Sequence, residues 1–108
     1  MQRLFDSAAE RPELGDYERV ERIAIGKSQL QSTAATFARW IVVTNKRVLV
    51  YRPNGMLTKT FDDTELLAEA ELEADSDIDF PTTALFGSRA YRPTGEDIFI
   101  SHTYDRVN

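Results

Sequence analysis

WIVVTNKRVLVY, residues 40–51, sets two apolar runs on either side of Thr44, Asn45 and Lys46. Trp, Ile, Val, Leu and Tyr fill a pleated, packed surface well, and the polar interruption falls where a reversal belongs, so the stretch predicts a β-hairpin. Working outward, Pro53, Asn54 and Gly55 are a second turn signal, and residues 56–61 after them predict another strand. Upstream, residues 31–36 are small and polar and connect into a hairpin arm that starts at Phe37. Before them, Val20, Ile23 and Ile25 alternate loosely among charges, which predicts a first strand over residues 17–30 broken near Gly26. Leu4, Phe5, Ala8 and Ala9 lie at helical spacing, and Pro12 to Gly15 would end that helix, giving a short helical arm within residues 1–14.

Residues 66–74 (LLAEAELEA) carry a conflict. Ala, Leu and Glu favour a helix by intrinsic propensity. The pattern favours a strand, because Leu66, Ala68, Ala70, Leu72 and Ala74 alternate with Leu67, Glu69, Glu71 and Glu73, a period of two that sets the glutamates on one face. The strand reading is preferred. Two further strands are expected over 88–92 and 97–102, joined across Pro93, Thr94 and Gly95. The pentads YRPNG (51–55) and YRPTG (91–95) are ordinary hairpin chemistry rather than a duplication. The expected fold is mainly β: about seven antiparallel strands curled into a small, partly open barrel, in a single domain over residues 1–108.

Composition narrows the function classes. At 108 residues the chain has room for one modest core. Cysteine is absent, so disulfides, thiolate metal clusters and a cysteine nucleophile are excluded. The apolar runs fall far short of the ~20 residues of a spanning helix, and the amino end lacks a basic stretch followed by an apolar one. A soluble, unexported protein is expected, cytoplasmic or a component of a virus or phage particle. The net charge of −5 repels phosphates and argues against nucleic-acid binding.

The charge is segregated. Six bases and no acid lie between Lys27 and Phe61, then nine acids and no base between Asp62 and Asp79. Lys46, Arg47 and Arg52 are therefore candidates for binding an anion or an acidic partner. The competing and preferred reading is that neighbouring strands neutralise each other by cross-strand pairs. Asp75, Asp77 and Asp79 copy the start of a calcium loop, but Phe80 stands where its sharp turn needs Gly and Phe86 where it needs Glu, so no metal is expected. The only histidine, His102, would need a nucleophile such as Ser101 or Ser88 and an orienting acid such as Asp105 for hydrolysis. Adjacent residues of a strand point to opposite faces, so no catalytic dyad is expected there. No cofactor is implied, because the glycines are scattered at turns and form no phosphate cradle. Phe80, Leu85 and Phe86 are core fillers or, if exposed with Leu4 and Phe5, an adhesive patch for a partner.

The T-N-x-R turn at Thr44, Asn45, Lys46 and Arg47, set between two apolar strands, resembles the signature hairpin of bacterial and archaeal pleckstrin-homology-like (PH-like) domains. The resemblance covers roughly residues 14–104 and is carried by the hairpin alone. It implies a non-enzymatic interaction module that binds protein partners or self-associates as part of a larger assembly. Two alternatives stand beside it: peripheral membrane or anionic-ligand binding through Lys46, Arg47 and Arg52, and a structural protein of a virus or phage particle, which a small, cysteine-free domain suits. Such domains close one barrel end with a helix, whereas only residues 103–108 follow the last predicted strand. Either that helix is abbreviated, the amino-terminal helix takes its place, another chain covers the opening, or the sequence is a fragment.

Overall fold

The hairpin forms because both of its strands are apolar on both faces. The computed structural model, which describes residues 2–28, 38–71, 90–91 and 98–106, places β2 at Ala38–Thr44 and β3 at Arg47–Pro53, preceded by a helix α1 (Gln2–Ala9) and a strand β1 (Val20–Lys27). A 3-10 turn (Phe61–Asp63), β4 (Thr64–Glu71), the two-residue β5 (Ala90–Tyr91) and β6 (Ile98–Asp105) follow. All pairings are antiparallel, in one sheet of order β4-β3-β2-β1-β6-β5. The mainly β class with a short amino-terminal helix thus holds. Among the described residues the strands number six rather than seven, and they form an open sheet with β4 and β5 at its edges.

Each sheet face carries its own buried cluster. Ile23, Trp40, Val42, Leu49 and Tyr51 make one, covered by α1 through Ala8, Leu4 and Phe5 and plugged by Phe61. Ala24, Ile41, Val43, Val48 and Val50 make the other, with Ile98 and Ile100 of β6. Strands buried on both sides need no polar alternation, which is why WIVV and VLVY read as continuous apolar runs. Phe61 meets Trp40 and Tyr51 edge-on, at centroid separations of 5.1 and 5.3 Å.

Three sequence expectations are corrected. Residues 56–61 form a turn running into the 3-10 helix, not a strand. Local hydrogen bonds from Asn54 and Thr58 to Asp63, together with the Ser7 hydroxyl accepting from the Phe61 amide at 2.9 Å, offer this backbone a better outlet than a ladder. The stretch starting at Leu66 is extended as far as it is described, but a bulge at Leu67 reverses its alternation. Leu66 faces Tyr51, in the cluster beneath α1, while Ala68 and Ala70 face Val50 and Val48 on the opposite side. Finally, β1 is not broken at Gly26 but runs through it to Lys27.

Gly26 is needed at that point because β6 bulges towards it between the pairings Ile25–His102 and Gly26–Ile100. A Cβ there would lie 2.4 Å from the Phe99 carbonyl oxygen, and backbone cannot step aside as a flexible side chain would. Gly26→Ala is expected to lower stability by about 1–3 kcal/mol, the usual cost of forcing atoms into a packed site. Urea denaturation measures it; an unchanged midpoint would show that β6 gives way freely.

Candidate functional site

Thr44, Asn45 and Arg47 at the hairpin turn reach backwards, to the loop between α1 and β1. Thr44, buried at the end of β2, accepts from the amides of Lys46 and Arg47 at 3.1 and 3.0 Å, which tightens the reversal. Its hydroxyl donates to the Glu18 carboxylate at 2.7 Å. Asn45 accepts from the Arg19 amide at 2.7 Å and donates to the Tyr17 carbonyl at 3.2 Å, while its own amide donates to the Arg19 carbonyl at 3.1 Å. Arg47 grips both Glu18 oxygens, at 2.9 and 3.0 Å, and donates as well to Glu69 and to the Glu13 carbonyl. Three of the four T-N-x-R positions are therefore fasteners for residues 13–19. Lys46, the fourth, is exposed.

Glu18 is the centre of this knot. Its side chain is 2% exposed, which no carboxylate tolerates without full hydrogen bonding. The Arg47 fork, aided by the Thr44 hydroxyl and the Gly15 amide, outweighs the burial penalty and holds its pKa down at about 2. A second ion pair abuts it. Arg11 grips Glu13 through two bonds of 3.1 and 3.0 Å, lies over the Tyr51 ring at 5.3 Å and donates to the Phe61 carbonyl at 3.3 Å. Burial works against the Glu13 charge, but Arg11 and the other donors around it keep its pKa below the ordinary carboxylate value. Burial, reinforced by the neighbouring Glu13 charge, pushes the Tyr51 hydroxyl up.

These shifts fix an acid limit. A carboxyl whose folded pKa lies below its unfolded value contributes stability that is complete above the unfolded pKa and fades as the pH falls towards the folded one. For Glu18 that window runs from 4.5 down to about 2. Thermal melts between pH 7 and pH 2 are expected to show a steep fall in stability through the window, much weakened in Glu18→Gln; equal slopes in the two proteins would show that the knot does not control acid stability.

The candidate cations are differently engaged. Arg47 is committed to Glu18 and Glu69, and Arg52 pairs with Glu65 directly across the ladder. Cross-strand pairing thus neutralises Glu65 and Glu69, one on each side of the Leu67 bulge. Lys46 stands apart from both arginine pairs, at the turn. Phe80, Leu85 and Phe86 lie outside the described residues, as do Asp75, Asp77 and Asp79. Among the described residues no group of three or more metal-ligating side chains occurs, and no helix is long and apolar enough to cross a membrane.

Ser101 and His102 correct a geometric expectation. The β6 bulge turns them so that the Ser101 hydroxyl lies 3.3 Å from His102 Nδ1 rather than on the far face. The Ser101 proton, however, goes to the Ile25 carbonyl at 3.0 Å, and Asp105 is held by Arg22. His102 stacks on Tyr104 instead of on an orienting acid. The contact leaves Ser101 without a base aligned on its proton. A cleft of about 430 Å³ between α1 and the ends of β1 and β6 has Phe5 and Val20 beside Asp6, Arg19 and Asp105, whose charges bond to Gln2, Glu21 and Arg22.

Large apolar side chains reach solvent at sites that sequence reasoning passed over. Met56 and Leu57 are 81% and 87% exposed on the turn after β3, and Tyr17 is 87% exposed beside the hairpin. The Met56 turn is well braced. The Asn54 amide donates to the Asp63 carbonyl at 3.0 Å, Asn54 Nδ2 to Asp63 Oδ1 at 3.1 Å, the Gly55 amide to Thr58 Oγ1 at 3.0 Å and Thr58 Oγ1 to Asp63 Oδ2 at 3.2 Å. The PNG signal locates this turn in the sequence, but its apolar tip resembles the start of a strand. No protein-family model, curated protein or solved structure matches the chain.

Proposed function

We propose that this chain is a non-enzymatic interaction module of PH-like type, a partly open barrel that binds protein through the braced turn carrying Met56 and Leu57. The observation that carries the reading is the exposure of these two side chains on a turn fastened by the hydrogen bonds of Asp63 and Thr58. A pre-ordered apolar tip loses little entropy on docking, whereas a floppy one would collapse onto its own surface. Charge supports the same choice. With Arg47 and Arg52 paired internally, the hairpin offers an anionic headgroup only Lys46 of the three candidate cations, worth about 1 kcal/mol at a membrane surface.

A second copy of the chain is the partner to test first. Light scattering over a wide concentration range is expected to show association that Met56→Ser/Leu57→Ser abolishes with no change in melting temperature. In parallel, co-sedimentation with anionic vesicles at low salt is expected to show no binding that depends on Lys46. Association untouched by the double substitution, or a monomer throughout, would remove self-association through this turn; vesicle binding lost in Lys46→Ala would favour the anionic-ligand alternative.

A further inference from the structure

We propose that Asn54 is a latent self-modification site, whose conversion to aspartate or isoaspartate is held back by Thr58 and Asp63. Asn54 is exposed and followed by Gly55, the residue that least obstructs attack by its own backbone nitrogen on the preceding side chain. In that reaction a base in solution takes the Gly55 amide proton and the nitrogen bonds to Asn54 Cγ. The Cγ–Nδ2 bond then breaks, and ammonia leaves with a proton drawn from water. Water opens the resulting five-membered imide at either carbonyl, giving aspartate or isoaspartate, so the net change is the exchange of ammonia for water.

Both reacting groups are restrained away from this path. The attacking nitrogen is tied up as a donor to Thr58 Oγ1 at 3.0 Å, and Thr58 is in turn held by Asp63 Oδ2. The amide under attack is anchored by Nδ2 donating to Asp63 Oδ1 at 3.1 Å; a carboxylate only accepts, which fixes the orientation of that amide. An intramolecular reaction depends on the freedom to reach an aligned approach, and one carboxylate removes that freedom from both partners. The product would undo the brace, because a carboxylate at position 54 would face that of Asp63 where a donor stood. This inference is independent of what the Met56 turn binds.

The test is incubation of the full chain at mildly alkaline pH, with peptide mapping by mass spectrometry and isoaspartate detection. Wild-type protein unfolded in guanidinium is expected to convert at position 54 several-fold faster than native protein. Native Thr58→Val should fall between them. Gly55→Ala should suppress conversion in both states, and its methyl group is accommodated, with Thr58 Oγ1 the nearest atom at 3.9 Å. Asn45, exposed and tied to residues 17–19, is the internal reference for general loosening, and its rate should not change in Thr58→Val. Equal rates in native and unfolded wild type, an unchanged rate in Thr58→Val, or a parallel rise at Asn45 would overturn the proposal.

Discussion

Replacing Arg47 with alanine is expected to destabilise the protein by about 3–5 kcal/mol, the cost of stranding a buried charge. The stranded charge is Glu18, whose carboxylate would lose both bonds of the guanidinium fork and keep only Thr44 and the Gly15 amide. The Glu13 carbonyl and Glu69 would lose a donor as well. For a domain whose total stability is about 5–15 kcal/mol, such a loss brings the chain close to unfolding at ordinary temperature. Arg47→Lys should recover only part of it, since a single ammonium cannot reproduce a planar fork on two oxygens. The control is Arg52→Ala, which removes a more exposed pair with Glu65 and should cost less than about 1 kcal/mol. Urea denaturation of the three variants is the measurement; Arg47→Ala no worse than Arg52→Ala would show that the knot is incidental to the fold.

Phe61→Ala should be of the same order, about 3–5 kcal/mol for a fully buried phenylalanine. The ring fills the space between α1 and the sheet and is gripped edge-on by Trp40 and Tyr51, so truncation leaves a cavity bordered by two large aromatics that cannot collapse into it. Its backbone is fixed separately by Ser7, Arg11 and Thr64, which ties α1 and the following loop to the same point. The loss should therefore spread to α1. Hydrogen exchange in Phe61→Ala is expected to show α1 exposed well before β2 and β3, and uniform protection would contradict that. Phe61→Leu should retain much of the stability, because it keeps most of the volume and sacrifices the aromatic contacts.

Both residues show where reading the sequence stops. Phe61 falls at the end of an apparent strand, and nothing local marks it as the plug of a core assembled from β1, β2, β3 and α1. Arg47 stands in a run of bases and suggests an anion site, yet its carboxylate partners lie 29 residues before it and 22 after it. The only local hint is that Thr44 and Asn45, polar residues at the mouth of a buried hairpin, require partners somewhere. Met56 and Leu57 mislead in the opposite direction, since apolar residues after a turn read as a strand when they are the exposed tip of the turn itself.

Residues 40–51, the helical spacing near the amino end and the alternation after Thr64 were enough by themselves to set the mainly β class, the hairpin and the extended state of β4, because those depend on the period and bulk of neighbouring side chains. Tertiary structure alone decided the rest: that the bulge at Leu67 pairs Ala68 and Ala70 with Val50 and Val48 instead of leaving them on the face of Leu66, that Gly26 lies within a strand against the Phe99 carbonyl, and that Arg47 closes onto Glu18. The physical reason is the same in each case. Such features are pairings between groups distant in the chain, and their energy comes into being only when the sheet brings backbone to backbone and shuts water out from between the charges.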